Sequence, residues 1–364
     1  MALSFLSNFS LPKLKLFRGE ESVLGIDIGT SSLKIVELKK RGGKIHLLRY
    51  GWLALGGYGG KELGQSVKLP IEKLEEALTF LLKEEKFSAT RGVFSIPLSS
   101  SLIFTIEVPR VAENRLETVV PLEARKHIPV AYTDVSMVWI PFPEREREVL
   151  GGAPGEATPV RVLVIAILKP VISLYQGLAG AAGLQNALFE VETFSMIRSL
   201  LGGERKPLAL VDIGADTTKV AIIDNGMVVA SHGIDLGSQD ITDTLARERN
   251  ISFSEAERLK REAVGAESAA SQKIFNDLFN TIRRVVIDAK VGGAGVGKTV
   301  LVGGGALLPN VAEVAKNILG HEVLLGNPFK TIVPPSDVVA PVLSAVGPEF
   351  AVSVGLALRG LEEF

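Results

Sequence analysis

VLGIDIGTSSLKIVELKK (23–40) and LALVDIGADTTKVAIID (208–224) are the two stretches whose reading decides the fold. Each begins as an apolar run ending on Asp-x-Gly, passes through small hydroxyl residues, and resumes as a second apolar run. Runs of this length, rich in Val, Ile and Leu and bounded by Gly, Thr and Ser, read as strands joined by tight turns. A third run follows each pair: KIHLLRYGWLAL (44–55) after Arg-Gly-Gly, and MVVASHGID (227–235) after Asn-Gly. Asn-Gly between alternating apolar runs is a strong hairpin signal. An amphipathic helix comes next in both places, PIEKLEEALTFLLKEE (70–85) and SQDITDTLARER (238–249). Asp27 and Asp212 hold the same place in the two copies, 185 positions apart, each followed by Ile-Gly. The chain therefore reads as an α/β protein built on a duplicated domain.

Between the copies lie RGVFSIPLSSSLIFTIEVPRV (91–111), a helical ENRLETVVPLEARKHI (113–128), a strand MVWIPF (137–142) and a charged, Gly/Pro-rich loop (144–159). VRVLVIAIL (160–168) and the helix PVISLYQGLAGAAG (170–183) close a small α+β unit. After the second copy, helices are expected over 252–265 and 272–290, then a buried strand VLVGGGA (300–306).

Bulk properties exclude several chemistries. Forty basic residues against forty-one acidic leave no overall charge to attract nucleic acid or anionic lipid. Without cysteine there is no disulfide, iron–sulfur cluster or thiol catalysis, which suits a reducing cytosol. No histidine has a second histidine at i+3 or i+4 and the chain has no cysteine, which argues against zinc. No apolar run approaches the length of a membrane span, and the first residues, MALSFLSNFSLPKLKLFR, lack the basic start and small-residue cleavage site of a signal peptide. They read as a terminal arm, and no basic amphipathic terminus is strong enough to hold a bilayer.

Chemistry points to the two turns. Gly29 and Gly214 let the backbone approach an anion, and successive N–H groups of such turns converge on phosphate oxygens. Thr30, Ser31 and Ser32 in one turn, and Thr217 and Thr218 in the other, add small donors, and Lys34 adds a compact positive charge. Asp27 and Asp212, at strand ends, suit a hydrated Mg²⁺ held through its waters. Either turn alone is ordinary hairpin material; the duplication makes the pair informative. VGGGALLPN (302–310) runs from a strand through Gly303, Gly304 and Gly305 toward a helix, which suits close approach to an anionic or flat ligand. Glu257 and Lys260, one helical turn apart, share a face and can meet ribose or base edges; the plain alternative is an exposed ion pair.

Together these residues resemble the actin/Hsp70/FtsA superfamily over roughly 22–360. The resemblance implies an actin-like, ribonuclease H-like fold: two duplicated domains around a nucleotide cleft, with an inserted subdomain. It implies ATP and Mg²⁺ as cofactors, Asp27 and Asp212 as metal-facing carboxylates, and Gly29, Thr30, Ser31, Lys34, Gly214, Thr217 and Thr218 around phosphates. Gly303, Gly304, Gly305, Glu257 and Lys260 would surround adenosine. VETFSMIRSL (191–200) and PEFAVSVGLALRG (348–360) match the two connecting helices, and Glu192 stands where relatives place a carboxylate that orients the attacking water. Thr193 replaces the proline common beside it in relatives. The residues leave open whether nucleotide is turned over, weakly or at all, or only bound.

The implied boundaries are an N-terminal arm (1–21), a first domain (22–89, 169–205 and 340–364), an inserted subdomain (90–168) and a second domain (206–339, its helical part 241–297). LEARKHIPVAYTDVSMVW (122–139) is similar to the PilM family of type IV pilus assembly proteins. That resemblance implies a cytoplasmic, ATP-binding part of a membrane-associated complex, held at the inner membrane through partner proteins. The partners it implies are a PilN-type inner-membrane protein, bound by its cytoplasmic tail, then pilus motor or platform proteins, and a homo-oligomer; nucleic acid is not among them.

Three rivals are weighed on the same residues. GGAGVGKT (292–299) satisfies the P-loop pattern, but a helix precedes it and a strand follows, the reverse of the strand–loop–helix that phosphate binding needs. A sugar or acetate kinase would need a further cleft carboxylate cluster, which is not evident. An FtsA-like division protein would end in an amphipathic targeting helix, where RGLEEF carries two acids and no basic face.

Overall fold

The computed structural model describes residues 21–109, 113–142, 159–262, 268–289, 291 and 295–364. The terminal arm and most of the polar loop at 144–159 lie outside them. β1 (Ser22–Ile28), β2 (Ser32–Arg41) and β3 (Lys44–Ala54) form an antiparallel meander. Helix α1 (Ile71–Glu84) crosses back to β4 (Gly92–Ile96), which pairs parallel to β1. The inserted unit is β5 (Ser101–Val108), α2 (Glu113–Ala124), β6 (Val135–Pro141) and β7 (Val160–Leu168), with β7 central in an antiparallel sheet of order β5-β7-β6. The chain then returns through α3 (Lys169–Ala181) to β8 (Leu188–Val191) and α4 (Glu192–Leu200).

The second copy repeats the plan. β9 (Leu208–Ile213), β10 (Thr218–Asp224) and β11 (Met227–Ile234) form its meander. Asn225 and Gly226 both take positive φ, 50° and 78°, at its hairpin turn. Helices α5 (Ser238–Arg249), α6 (Phe253–Arg261) and α7 (Ala269–Asp288) lead to β12 (Lys298–Val302), and α8 (Val311–Leu319) leads to β13 (Glu322–Leu325). The large sheets run β14-β3-β2-β1-β4-β8 and β11-β10-β9-β12-β13, where β14 is Ile332–Val333. Apart from β14, the two orders are the same, and the expected duplication is met strand for strand.

Two expected boundaries move. β4, expected with the inserted unit at 90–168, belongs to the first domain's sheet, between β1 and β8. β14, assigned with the second domain up to 339, pairs with β3 of the first. Ser101 and Ile167 are direct strand partners, so the insertion leaves and re-enters the domain at adjacent points.

Helices α9 (Ala340–Val346) and α10 (Ala351–Glu363) finish the chain. The continuous segment Ala340–Glu363 is long and apolar enough to cross a membrane by length and composition, contrary to the expectation that no run approaches that length. Its most apolar 18-residue stretch is 61% buried, as in a helix that is apolar all round because it lies in a core. α10 packs on β1, β2, β4 and α4. At Gly25 a Cβ would stand 2.6 Å from Ala357 N and overlap Ser353 O, and at Gly355 it would overlap the Ser195 carbonyl. Where the helices cross, Glu190 accepts both guanidinium nitrogens of Arg198 (2.6 and 2.9 Å), Arg359 (3.1 Å) and Ser195 Oγ (2.8 Å).

Candidate nucleotide cleft

The two Asp-x-Gly turns close in the same way. Gly29 N–H donates to Ser32 O (3.0 Å), and Gly214 N–H donates to Thr217 O (3.1 Å), the same residues in the duplicated frame. A Cβ on Gly29 would stand 3.1 Å from Ser32 O, and one on Gly214 would stand 2.8 Å from Thr217 O, so glycine is what lets each turn fold this tightly. The first turn is pinned from outside, with Leu55 N–H donating to Ser31 O and Val67 N–H to Thr30 O, each at 2.9 Å.

Both turns line one cleft of about 430 Å³ between the domains. Asp27, Gly29, Thr30, Ser31, Lys34, Glu192, Asp212, Gly214, Thr217, Glu257, Lys260, Gly303 and Gly304 all reach it. Two expected contacts do not. Thr218 is fully buried and its hydroxyl donates to Leu236 O (2.7 Å), because alternation along β10 turns it away from the cleft. Gly305 sits behind the wall, where a Cβ would strike Ile213. Gly303 has φ +83°, and a Cβ there would overlap Asp212 Oδ1 and stand 2.5 Å from Ile213 O. That glycine brings the third loop directly against the second Asp.

Asp27 accepts Ser95 Oγ–H (2.9 Å). Burial pushes its carboxyl above the usual range, and Lys34 and Lys219 oppose the shift without cancelling it. Lys34 donates to Ser32 Oγ (2.9 Å) and, among the described residues, makes no ion pair. Glu192 is buried, accepting Leu98 N–H at Oε1 (2.7 Å) and Lys219 Nζ at Oε2 (2.8 Å). Burial raises its pKa, with Lys219 as the chief opposing influence. Burial alone would lower the Lys219 ammonium, but Glu192 and Asp212 (3.3 Å) reverse that and raise it. Glu257 and Lys260 form the i,i+3 pair (2.6 Å), yet inside the cleft wall rather than exposed. Burial would raise Glu257, but Lys260, Thr242 and Arg261 hold it below the usual range; at Lys260 burial wins and the ammonium is lowered.

Several cleft residues were not among the candidates. Lys219 lies opposite Asp212 across β9 and β10, as Lys34 lies opposite Asp27 across β1 and β2; the 185-residue offset carries 34 onto 219 and was the available signal. Ser238 and Gln239 open α5 facing the cleft, a helix N-terminus that favours anions. Long-range contacts with no local signature bridge the cleft mouth: Ser66 N–H donates to Gln239 Oε1 (2.6 Å), and Ser254 N–H to Glu62 Oε2 (2.9 Å). The described part of the P-loop-like segment, 295–299, does not line the cleft. Residues 292–294 lie outside the described ones, and Lys298 opens β12 and pairs with Glu204 (2.9 Å).

The cradles, the Lys34 ammonium, which makes no ion pair among the described residues, and the helix N-terminus fit a polyphosphate. For a metal, hard carboxylate oxygens on Asp27 and Asp212 suit a hydrated divalent ion, although Lys219 already engages Asp212. Among the described residues no cluster of three or more His, Cys, Asp or Glu offers direct ligation.

Comparisons with known proteins agree with this architecture. A family model described as "Type IV pilus assembly protein PilM" matches residues 25–361. The solved structure "PilM-PilN type IV pilus biogenesis complex" is similar at 25% identity and a TM-score of 0.78, covering 94% of this chain and 99% of that one. MreB5 of Spiroplasma citri, solved with AMPPNP, is similar at 14% identity and a TM-score of 0.51, covering 95% of this chain and 98% of that one, a likeness of fold. The cell division protein FtsA of Bacillus subtilis (strain 168) is 21% identical over 361 residues, covering 85% of this chain and 79% of the relative. The fold is actin-like, and the chain belongs to the PilM family of type IV pilus assembly proteins.

Proposed function

We propose that the cleft binds ATP with Mg²⁺ and that the protein docks the cytoplasmic tail of a PilN-type inner-membrane protein, linking it to the pilus motor at the inner face of that membrane. The observation that carries the nucleotide reading is the pair of identically closed turns facing one cleft, with Lys34 free of any ion pair among the described residues. In this reading Gly29, Thr30, Ser31, Lys34, Gly214 and Thr217 hold phosphates. Asp27 and Asp212 face the metal's waters, and Gly303, Gly304, Glu257 and Lys260 border the adenosine. Mg²⁺ would neutralise phosphate charge; the chain's own residues bind and orient. ATP should raise the melting temperature by linkage, and Asp27→Ala or Asp212→Ala should abolish that shift while the unliganded protein still folds. An unchanged shift in both variants removes the cleft assignment.

The tail reading is supported by the inserted sheet. Among the described residues, the outer edge of β6 pairs with no other strand, and exposed Leu122, Val130 and Tyr132 lie on α2 and just before β6. An extended peptide added there would gain main-chain hydrogen bonds and cover apolar side chains. The partner named in the related complex, PilN, supports such a peptide as the occupant. Because Ser101 and Ile167 are strand partners, residues 101–167 can be replaced by a short Gly-Ser linker that spares β4. The shortened protein, once shown to bind ATP, should lose a synthetic PilN-type tail; retained binding places the tail elsewhere.

A further inference from the structure

The duplication puts one lysine in each half, and the two do opposite things. Lys34 presents its ammonium to the cleft with only Ser32 Oγ as partner among the hydrogen bonds found there. Lys219, its counterpart, reaches across the cleft floor and joins Glu192 Oε2 (2.8 Å) to Asp212 Oδ2 (3.3 Å). Glu192 comes from α4 and Asp212 from β9, so this one ammonium ties the connecting helix to the second turn. The other oxygen of Glu192 is committed as well, to Leu98 N–H at 2.7 Å, and the side chain is only 6% exposed.

Hydrolysis of ATP requires a water oxygen to bond to the terminal phosphorus as the bond to the bridging oxygen breaks. One water proton leaves to solvent, and the other stays on the released phosphate. A carboxylate helps only if one of its lone pairs points at that water, and aligned acid–base groups contribute about 10²–10⁴-fold. Each Glu192 oxygen accepts one donor, from a different element, and these two bonds fix the direction in which its remaining lone pairs point. An ammonium between Glu192 and Asp212 also supplies part of the positive charge that a divalent ion would bring to these carboxylates and to a neighbouring polyphosphate.

We propose that Lys219 is a positioning residue that acts as an internal counter-ion: it holds Glu192 and Asp212 together, lessens the dependence of ATP binding on divalent metal, and keeps Glu192 from aligning water for hydrolysis. This rests on the cleft being a nucleotide site. It goes beyond that reading by assigning retention over turnover to one side chain.

The test uses the full chain and ATP, with equilibrium binding measured in Mg²⁺ and in EDTA and hydrolysis followed in single turnover. Wild type should bind in both conditions, more tightly in Mg²⁺, and its Mg²⁺-to-EDTA affinity ratio is the reference for the variants. Lys219→Met exposes bound phosphate to uncompensated carboxylates, so its Mg²⁺-to-EDTA affinity ratio should widen by at least about tenfold. Its single-turnover rate should rise by at least about tenfold. Adding Glu192→Gln to Lys219→Met should remove the rate gain and leave the metal dependence. Lys34→Met should weaken binding in both conditions without speeding hydrolysis. Should Lys219→Met fail to fold, Lys219→Gln still donates one hydrogen bond without charge and is expected to move both readouts in the same direction. An unchanged affinity ratio and rate in the folded Lys219 variant, with wild type binding ATP, overturns the role of Lys219 alone. If wild type binds ATP in neither condition, the cleft reading itself fails and this role falls with it.

Discussion

Substituting Gly303 by alanine perturbs the cleft at one atom. The residue has φ +83° and ψ 170°, a conformation that side chains rarely adopt. Holding a non-glycine residue there costs about 1–3 kcal/mol. The new methyl would also overlap Asp212 Oδ1 and stand 2.5 Å from Ile213 O, against backbone that cannot swing aside. Forcing an extra carbon into a packed site costs about 1–3 kcal/mol more. Together these give a loss of about 2–6 kcal/mol, which for a chain of 364 residues lowers the melting temperature by about 3–8 °C.

The neighbouring residue supplies the control. Gly304 lacks a positive φ, and its Cβ would approach nothing nearer than Glu349 at 3.8 Å, an ordinary contact. Gly304→Ala should therefore stay within about 0.5 kcal/mol of wild type. Urea and thermal unfolding of the two variants compare positions one residue apart in the same loop. Equal stability of Gly303→Ala and Gly304→Ala would refute the close approach of this loop to Asp212 and the cleft geometry that depends on it.

Three other outcomes are expected. Lys34→Ala should weaken ATP binding by about 1.5–3 kcal/mol, roughly 10- to 150-fold, whereas Lys298→Ala leaves calorimetric affinity intact because that lysine pairs with Glu204; the reverse ranking would revive the P-loop reading. Glu190→Ala leaves the buried Arg359 and the largely buried Arg198 without their shared carboxylate, and should cost about 3–5 kcal/mol in urea unfolding; a loss below 1 kcal/mol would show that the helix crossing does not depend on this pair. Asp27 has its folded-state pKa raised by burial, so the folded protein holds this proton more tightly than the unfolded chain, and stability falls as pH rises between the two values. Asp27→Asn should therefore melt higher than wild type at neutral pH in EDTA, and the advantage should shrink as pH drops through the ordinary carboxylate range; a constant gap across that range contradicts the sign.

The sequence announced the meanders because their signals are local: Asp-Ile-Gly, Asn-Gly and runs of β-branched residues act over a few positions. The family comparisons agree with the fold read from them. Other features depend on partners far away in sequence. β4 looks like the start of the inserted unit until its pairing with β1 and β8 is seen, and the two-residue β14 has almost no signal without β3 beside it. Thr218 looked like a phosphate contact because it extends a run of threonines. One step along β10 reverses the direction of a side chain, and whether the turn ends at Thr217 or Thr218 is fixed only by the Gly214–Thr217 hydrogen bond.

Lys219 is legible in the sequence through the duplication, and what hides it is chemical. A turn is noticed for its Gly, Thr and Ser, while a lysine within a strand looks like a solvent-facing alternation. The strand pairing gives it meaning: antiparallel register sets Lys34 opposite Asp27 and Lys219 opposite Asp212. Equivalent backbone positions do not guarantee equivalent partners, because the two domains contribute different elements to the shared floor. Only the second lysine finds Glu192 within reach, carried by the helix that begins immediately after β8. The duplication supplies two similar halves, and the chemical difference between their lysines comes from what the connecting helix brings to one of them.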